Sequence, residues 1–442
     1  MNQRTTAHLT TKGSHLPLAR LLLGLLASFS GQVHLIGAAT DSPDIWPELR
    51  GPGGDGHSGS QPLPLNWSES NNIAWKTPIH DEGWSSPVVW DKQVWVTTAR
   101  ADGSELFAVC IDRERGQVLQ DVKVFDVENT QSINLANSYA SPTPVIEAGR
   151  LYVHFGTYGT ACLDTQTAKV LWTRRDLNCD HQMGPGSSPV SAGSLLVFDV
   201  DGMDVQYVIA LDKATGKTVW KTPRSTDFTG ITPDRRKAFS TPALVEAAGR
   251  LQLVCPGAQG VMSYDARTGE ELWKARYKGW SVVMRPVCRQ GVVFLGTDYE
   301  HPQLWAVRLD GHGDVTDTHV AWKVSQRMPA TPSPLLVDDL LYVVNDAGIV
   351  SCLEAQTGRS IWEQRLDGVF AASPLYGDGR IYFFGRNGSA TVMAPGREPR
   401  ILAVNKLAGM VMASPAVAEN ALFVRTKAHL YRIGQAGHSQ IR

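Results

Sequence analysis

One phrase recurs eight times along this chain: a small residue, a proline within two positions, then a short alternating apolar stretch. Its prolines are Pro87, Pro144, Pro189, Pro242, Pro286, Pro334, Pro374 and Pro415, spaced 40 to 57 residues apart. Most are followed by a polar turn and a second apolar run, as at 94–96, 151–153, 341–344, 381–384 and 422–424. Alternation of this kind is strand-like, and a period of this size belongs to propeller blades rather than to helical solenoids. The 41 glycines and the lack of sustained helical periodicity point the same way.

A second phrase completes the unit. Asp212-Lys-Ala-Thr-Gly216 leads to Trp220, Asp265-Ala-Arg-Thr-Gly269 to Trp273, and Glu354-Ala-Gln-Thr-Gly358 to Trp362. Asp164 and Trp172 keep the spacing with Ala168 in place of the glycine, and Asp112 with Gly116 lacks the tryptophan. Asp310 reaches Trp322 after a longer excursion, and the last two units depart further. An acidic side chain can accept hydrogen bonds from the N–H groups of a tight turn, and glycine tolerates its positive φ. The Trp then falls on an outer strand, where its ring can fill the gap between neighbouring sheets. Each unit thus predicts four short antiparallel strands.

Eight such sheets arranged radially bury one another's faces and leave only short edges. The expected fold is therefore all-β: an eight-bladed propeller of four-stranded antiparallel blades. The last unit ends near Ile433 with three strands, while residues 72–78, with Trp75 in the docking position, resemble the end of a blade. This N-terminal strand is expected to close the ring as the outer strand of the last blade.

The remaining segments divide as 1–39, 40–70, 71–434 and 435–442. Arg4, Lys12 and Arg20, the apolar run 21–26 and the small residues Gly37, Ala38 and Ala39 read as an export signal, the apolar core being too short to span a bilayer. No cysteine follows that run, so a lipid anchor is not indicated. Residues 40–70 form a Pro/Gly-rich arm that is either pinned to the propeller by Trp46 and Trp67 or a free linker. Residues 71–434 are the propeller, and 435–442 read as a disordered tail. The formal net charge of −1 gives no footprint for nucleic acid, and no membrane span is expected in the mature chain. Cys110, Cys162 and Cys352 hold the same place in three repeats, so they point alike and cannot bridge. The pairing of Cys179, Cys255 and Cys288 stays open.

The Ala-x-Asp-x-x-Thr-Gly-x-x-x-Trp pattern, complete at 210–220, resembles the repeat of the pyrroloquinoline-quinone (PQQ) propeller proteins. The resemblance covers nearly all of 71–434. Trp46-Pro-Glu-Leu-Arg50-Gly-Pro-Gly-Gly-Asp-Gly56 followed by Trp84-Ser-Ser-Pro87 is similar to a group of bacterial secreted propellers. The fold implied is shared by the β-barrel assembly lipoprotein, a non-enzymatic scaffold, and by quinoprotein alcohol dehydrogenases, which use PQQ with Ca²⁺. The latter carry two adjacent cysteines beside the cofactor, and this sequence has no Cys-Cys pair. Fold does not assign function.

The segments preceding the inner strands should open onto one end of the central channel. They carry Trp84, Tyr139, His181, Lys237, Trp280 and Arg285, a set suited to a polar ligand: cations for a carboxylate or phosphate, rings for a sugar or flat group. Asp199-Val-Asp201-Gly202-Met-Asp204 alternates carboxylates as Ca²⁺ loops do, but Ala210 stands where the closing bidentate Glu belongs. A solvated Asp-Gly turn is the preferred account. The resulting expectation is an exported, monomeric binding scaffold, periplasmic or secreted, for an envelope protein or glycan. The alternative is a PQQ-dependent dehydrogenase or another enzyme with its site in the funnel.

Overall fold

A computed structural model describes residues 45–59 and 62–434. Eight antiparallel sheets follow in chain order: blade one at 88–126, two at 145–174, three at 190–223, four at 243–276, five at 287–324, six at 335–365, seven at 375–406 and eight at 416–433. Two single turns of 3₁₀-helix, Gly156–Tyr158 and Pro233–Arg235, are the only helical elements among the described residues. Each blade is a meander, its short inner strand starting directly after the recurrent proline. Proline suits that place, because a residue just ahead of the strand has no ladder hydrogen bond to donate.

Ring closure occurs as the sequence indicates. Ile73–Pro78 pairs antiparallel with His429–Ile433, Lys76 opposite Tyr431 and Thr77 opposite Leu430. One blade is thus built from both ends of the propeller, a device that ties its first strand to its last.

The tryptophans explain the Gly of the turn phrase. Four of the rings lie over the turn of the next blade and donate the indole N–H to a carbonyl there: Trp75 to Arg113, Trp172 to Lys213, Trp220 to Ala266 and Trp322 to Ala355, whereas Trp273 donates to the Gln252 side chain of its own blade. A Cβ placed on Gly116, Gly216, Gly269 or Gly358 would sit 2.5–2.8 Å from those rings. Positive φ is therefore half of the requirement, and close approach of the ring is the other half.

The exception supports this. Blade one has Gln120 in the Trp position, and its amide donates to the carbonyl of Gln166 at 2.9 Å. The turn it meets is the one with Ala168, at φ 59°. Where no ring presses on the turn, a methyl group fits.

Two blades carry a fifth strand that the four-strand expectation lacks. Ile45–Trp46 adds to the inner strand of blade one. Gly313–Asp314, the long excursion before Trp322, adds in parallel to the outer strand of blade four at Trp273–Lys274. At blade seven, Trp67 of the arm takes the role of the missing docking ring. It stacks near Tyr382 and Phe384, and its backbone N–H donates to Asn405. All six cysteines are free thiols, and Cys110, Cys162 and Cys352 are buried. The segment read as an export signal and the C-terminal tail lie outside the described residues. No helix among the described residues is long and apolar enough to cross a membrane.

Candidate functional site

The residue before each recurrent proline is held extended by the proline ring, so its N–H points sideways toward the next blade. At seven of eight positions this residue is Ser or Thr. The N–H of Ser86 donates to Thr143 Oγ1, Thr143 to Ser188 Oγ, and Ser188 to Thr241 Oγ1, each at 2.9 Å. On the far side Arg285 donates to Ser333, Ser333 to Ser373 and Ser373 to Ser414. The result is a collar of hydroxyl groups around the axis, linking blade to blade. In the sequence they are only the small residues of the recurrent phrase. Their identity one place before each proline was the signal for the collar.

Arg285 occupies the eighth position, and the collar is replaced there by an ion pair. Its guanidinium meets Glu48 at 2.7 Å and also donates to the carbonyl of Leu49. Glu48 and Leu49 belong to the arm, which crosses the channel below the collar. Pro47 accepts from Ile146 of blade two, Glu48 from Ser191 of blade three, and His57 bonds to Leu336 of blade six at 2.6 Å. Gly56 and Ser58 bond Tyr376 of blade seven. Trp46 and Arg50 are fully buried, and burial pushes the Arg50 guanidinium down to about 9.

The glycines of this loop are spacing elements. A Cβ on Gly51 would meet the Trp46 ring, one on Gly54 the Arg285 guanidinium, and one on Gly56 that of Arg50. The Trp-Pro-Glu-Leu-Arg-Gly-Pro-Gly-Gly-Asp-Gly run is therefore a plug. It seals one end of the channel and leaves a blind funnel at the other.

That funnel has a volume of about 660 Å³. Leu49 is at its floor, the hydroxyl collar forms its neck, and Trp84, Asn137, Lys237, Phe239, Trp280 and Tyr299 stand in its wall. Four of the six candidate residues thus converge: Trp84, Lys237, Trp280 and Arg285. Lys237 is buried, its amine donates to the carbonyl of Asp234, and desolvation lowers its pKa. The Arg235 guanidinium covers one face of Trp280 at 4.3 Å, leaving the other for contact.

Tyr139 and His181 do not line the funnel. Tyr139 packs in the core between blades one and two, and its hydroxyl donates to Gln131. His181 is buried beside Tyr158, its Nε2 accepting from the N–H of Thr157, and burial pushes its pKa down to about 4. Both lie just before an inner strand, but their side chains turn inward to the core rather than toward the axis.

The Asp199–Asp204 stretch departs from its expected solvated turn. Asp199 and Asp201 are buried, and Arg224 bridges both, meeting Asp201 at 2.6 Å and Asp199 at 3.1 Å. Burial raises both carboxyls above the ordinary range, and Arg224 opposes that rise. Asp204 caps the N–H of Asp180. The acidic residues alternate because one face of this strand carries a buried ion cluster, and the partner, Arg224, was not legible from local spacing.

A Ca²⁺-held quinone does not fit the residues present. Among the described residues no three of His, Cys, Asp and Glu converge as metal ligands. Arg285, the cation set in the collar, is already engaged by Glu48.

The family profile described as outer membrane protein assembly factor BamB matches residues 86–222 and 304–409. BamB of Yersinia pestis is 26% identical over 202 residues, which is 42% of this chain and 49% of that protein, so the match spans about half the relative's length. Among solved structures, BamB from Moraxella catarrhalis gives a TM-score of 0.57 at 12% identity, covering 81% of this chain and 99% of that one. A quinohemoprotein alcohol dehydrogenase from Comamonas testosteroni gives 0.63 at 10% identity, covering 92% and 82%. A europium-containing methanol dehydrogenase gives 0.63 at 11% identity, covering 87% and 89%. At such identities the likeness of these structures speaks for the fold alone.

Proposed function

We propose, from the premise that the chain belongs to the PQQ-repeat propeller family typified by assembly factor BamB, that it is an exported binding scaffold of the cell envelope whose funnel receives a protein or glycan partner. The observation that carries this reading is the blind funnel. A channel sealed at one end by residues 45–58 cannot conduct, whereas a fixed cavity of about 660 Å³ is of the size that holds a ligand group or an inserted loop. Its walls combine aromatic faces with a few anchored polar groups, the usual composition of a recognition site. The mouth adds apolar surface at Leu135, Tyr299 and Val369, all exposed. The assembly-factor relatives support a protein partner in the envelope, and the signal-like residues 1–39 support export to the periplasm or beyond.

Turnover is not part of this reading. The dehydrogenase alternative rests on fold likeness, and the funnel lacks the donor set that its cofactor needs. The test is a binding comparison between the wild type and Lys237→Ala and Trp280→Ala variants, using a partner recovered from envelope extracts. Loss of that partner with both variants supports the funnel. Retention of PQQ after purification with added PQQ and Ca²⁺, together with alcohol-dependent dye reduction, overturns the scaffold reading.

A further inference from the structure

The outer strand of every blade ends a sheet, and in blade four the chain covers that edge itself. Gly313–Asp314 runs parallel to Trp273–Lys274, and the N–H of Val315 donates to the carbonyl of Lys274 at 2.8 Å. Val315 is buried over Leu272, which is 5% exposed, and Asp314 pairs with Arg276 at 2.7 Å. Leu272 sits one residue before the docking Trp. The same position holds Leu171 in blade two and Val219 in blade three, and these are 49% and 52% exposed. Val170 beside Leu171 is exposed as well. Their strands are the last in their sheets.

Charge follows the same pattern. Arg175 of blade two, whose guanidinium also donates to the carbonyl of Asp126, holds the place of Arg276, three residues past the docking Trp, and Lys221 of blade three holds that of Lys274, so each edge carries a cation within a few residues of where Arg276 meets Asp314 in blade four. Blade one has an equally exposed Leu119, but Asp121 and Asp126 lie along its strand.

We infer that the outer edges of blades two and three form a second docking surface, which takes an extended partner peptide as an added strand. The peptide carries an acidic residue followed by a β-branched apolar one, as Asp314-Val315 does. Backbone hydrogen bonds to an open strand edge supply affinity, while the apolar pocket and the flanking cations supply sequence preference. This surface is separate from the funnel and stands whether or not the funnel binds.

The probe is a synthetic peptide of residues 310–318, titrated to millimolar concentration into the full chain labelled at Leu and Val methyl groups. Saturable shifts of the Val170, Leu171 and Val219 methyls are expected, with at least tenfold weaker binding for the same peptide carrying Val315→Lys. The exposed substitutions Leu171→Glu and Val219→Glu should each abolish the response of their own blade and spare the other. Unshifted edge methyls at millimolar peptide would overturn the inference. So would shifts confined to the funnel residues Val283 and Val369, which report on the other site in the same spectra.

Discussion

Gly216→Ala tests whether the turn glycine serves the neighbouring ring or only its own backbone. Gly216 has φ +70°, and an added Cβ would lie 2.6 Å from the Trp172 ring. The left-handed conformation costs an alanine about 1–2 kcal/mol. Forcing a methyl group into a filled contact costs a further ~1–3 kcal/mol. The substitution is thus expected to destabilise by about 2–5 kcal/mol. Trp172→Gln alone removes a half-buried ring and should cost about 2 kcal/mol, less than the ~3–5 kcal/mol of a fully buried one. The double variant recreates the natural pairing of Gln120 with Ala168. It should be more stable than the sum of the single changes implies, by about 1–3 kcal/mol of coupling. Urea unfolding followed by tryptophan fluorescence reads this as midpoint shifts at constant slope. Additivity of the two changes would refute the ring-contact argument, leaving φ alone as the reason for glycine. Ala168→Gly, where no ring presses, should shift stability by no more than ~1 kcal/mol.

Other consequences can be checked individually. Burial raises the Asp199 pKa in the folded state, so the native protein holds a proton that the unfolded chain releases. This contribution is complete below the unfolded carboxyl pKa and is lost as pH rises through the folded one. Asp199→Asn should therefore stabilise the protein more at pH ~8 than at pH ~5, seen as a larger midpoint shift in urea. Arg224→Met leaves two buried carboxyls without their cation and should cost about 3–5 kcal/mol at neutral pH. Glu48→Ala leaves the Arg285 guanidinium with a single arm carbonyl and is expected to loosen the plug. Limited proteolysis should then cut within residues 45–60 faster than in the wild type, with the blades intact.

The parts of the fold that repeat were legible, because eight occurrences of one pattern constrain each other. The closing strand was readable for the same reason: Trp75 stands in a position defined by Trp220 and Trp273. What escaped were contacts between residues far apart in sequence. Glu48 and Arg285 are unremarkable alone, and only the ring brings them together below the collar. Arg224 lies two strands on from Asp199 and Asp201, so their alternation resembled a turn. Tyr139 and His181 were placed near the axis by their position before an inner strand, but position does not tell which way a side chain leaves the backbone. Trp84, Lys237, Trp280 and Arg285 share that position and do reach the cavity.

Site-specific photocrosslinking in intact cells puts the scaffold account to its most direct test. A photoreactive residue replacing Tyr299, half-exposed at the funnel mouth, should capture an envelope protein or glycan, and Trp280→Ala should abolish that capture. Absence of any crosslink from the mouth, together with copurifying quinone and alcohol-driven dye reduction, would contradict it.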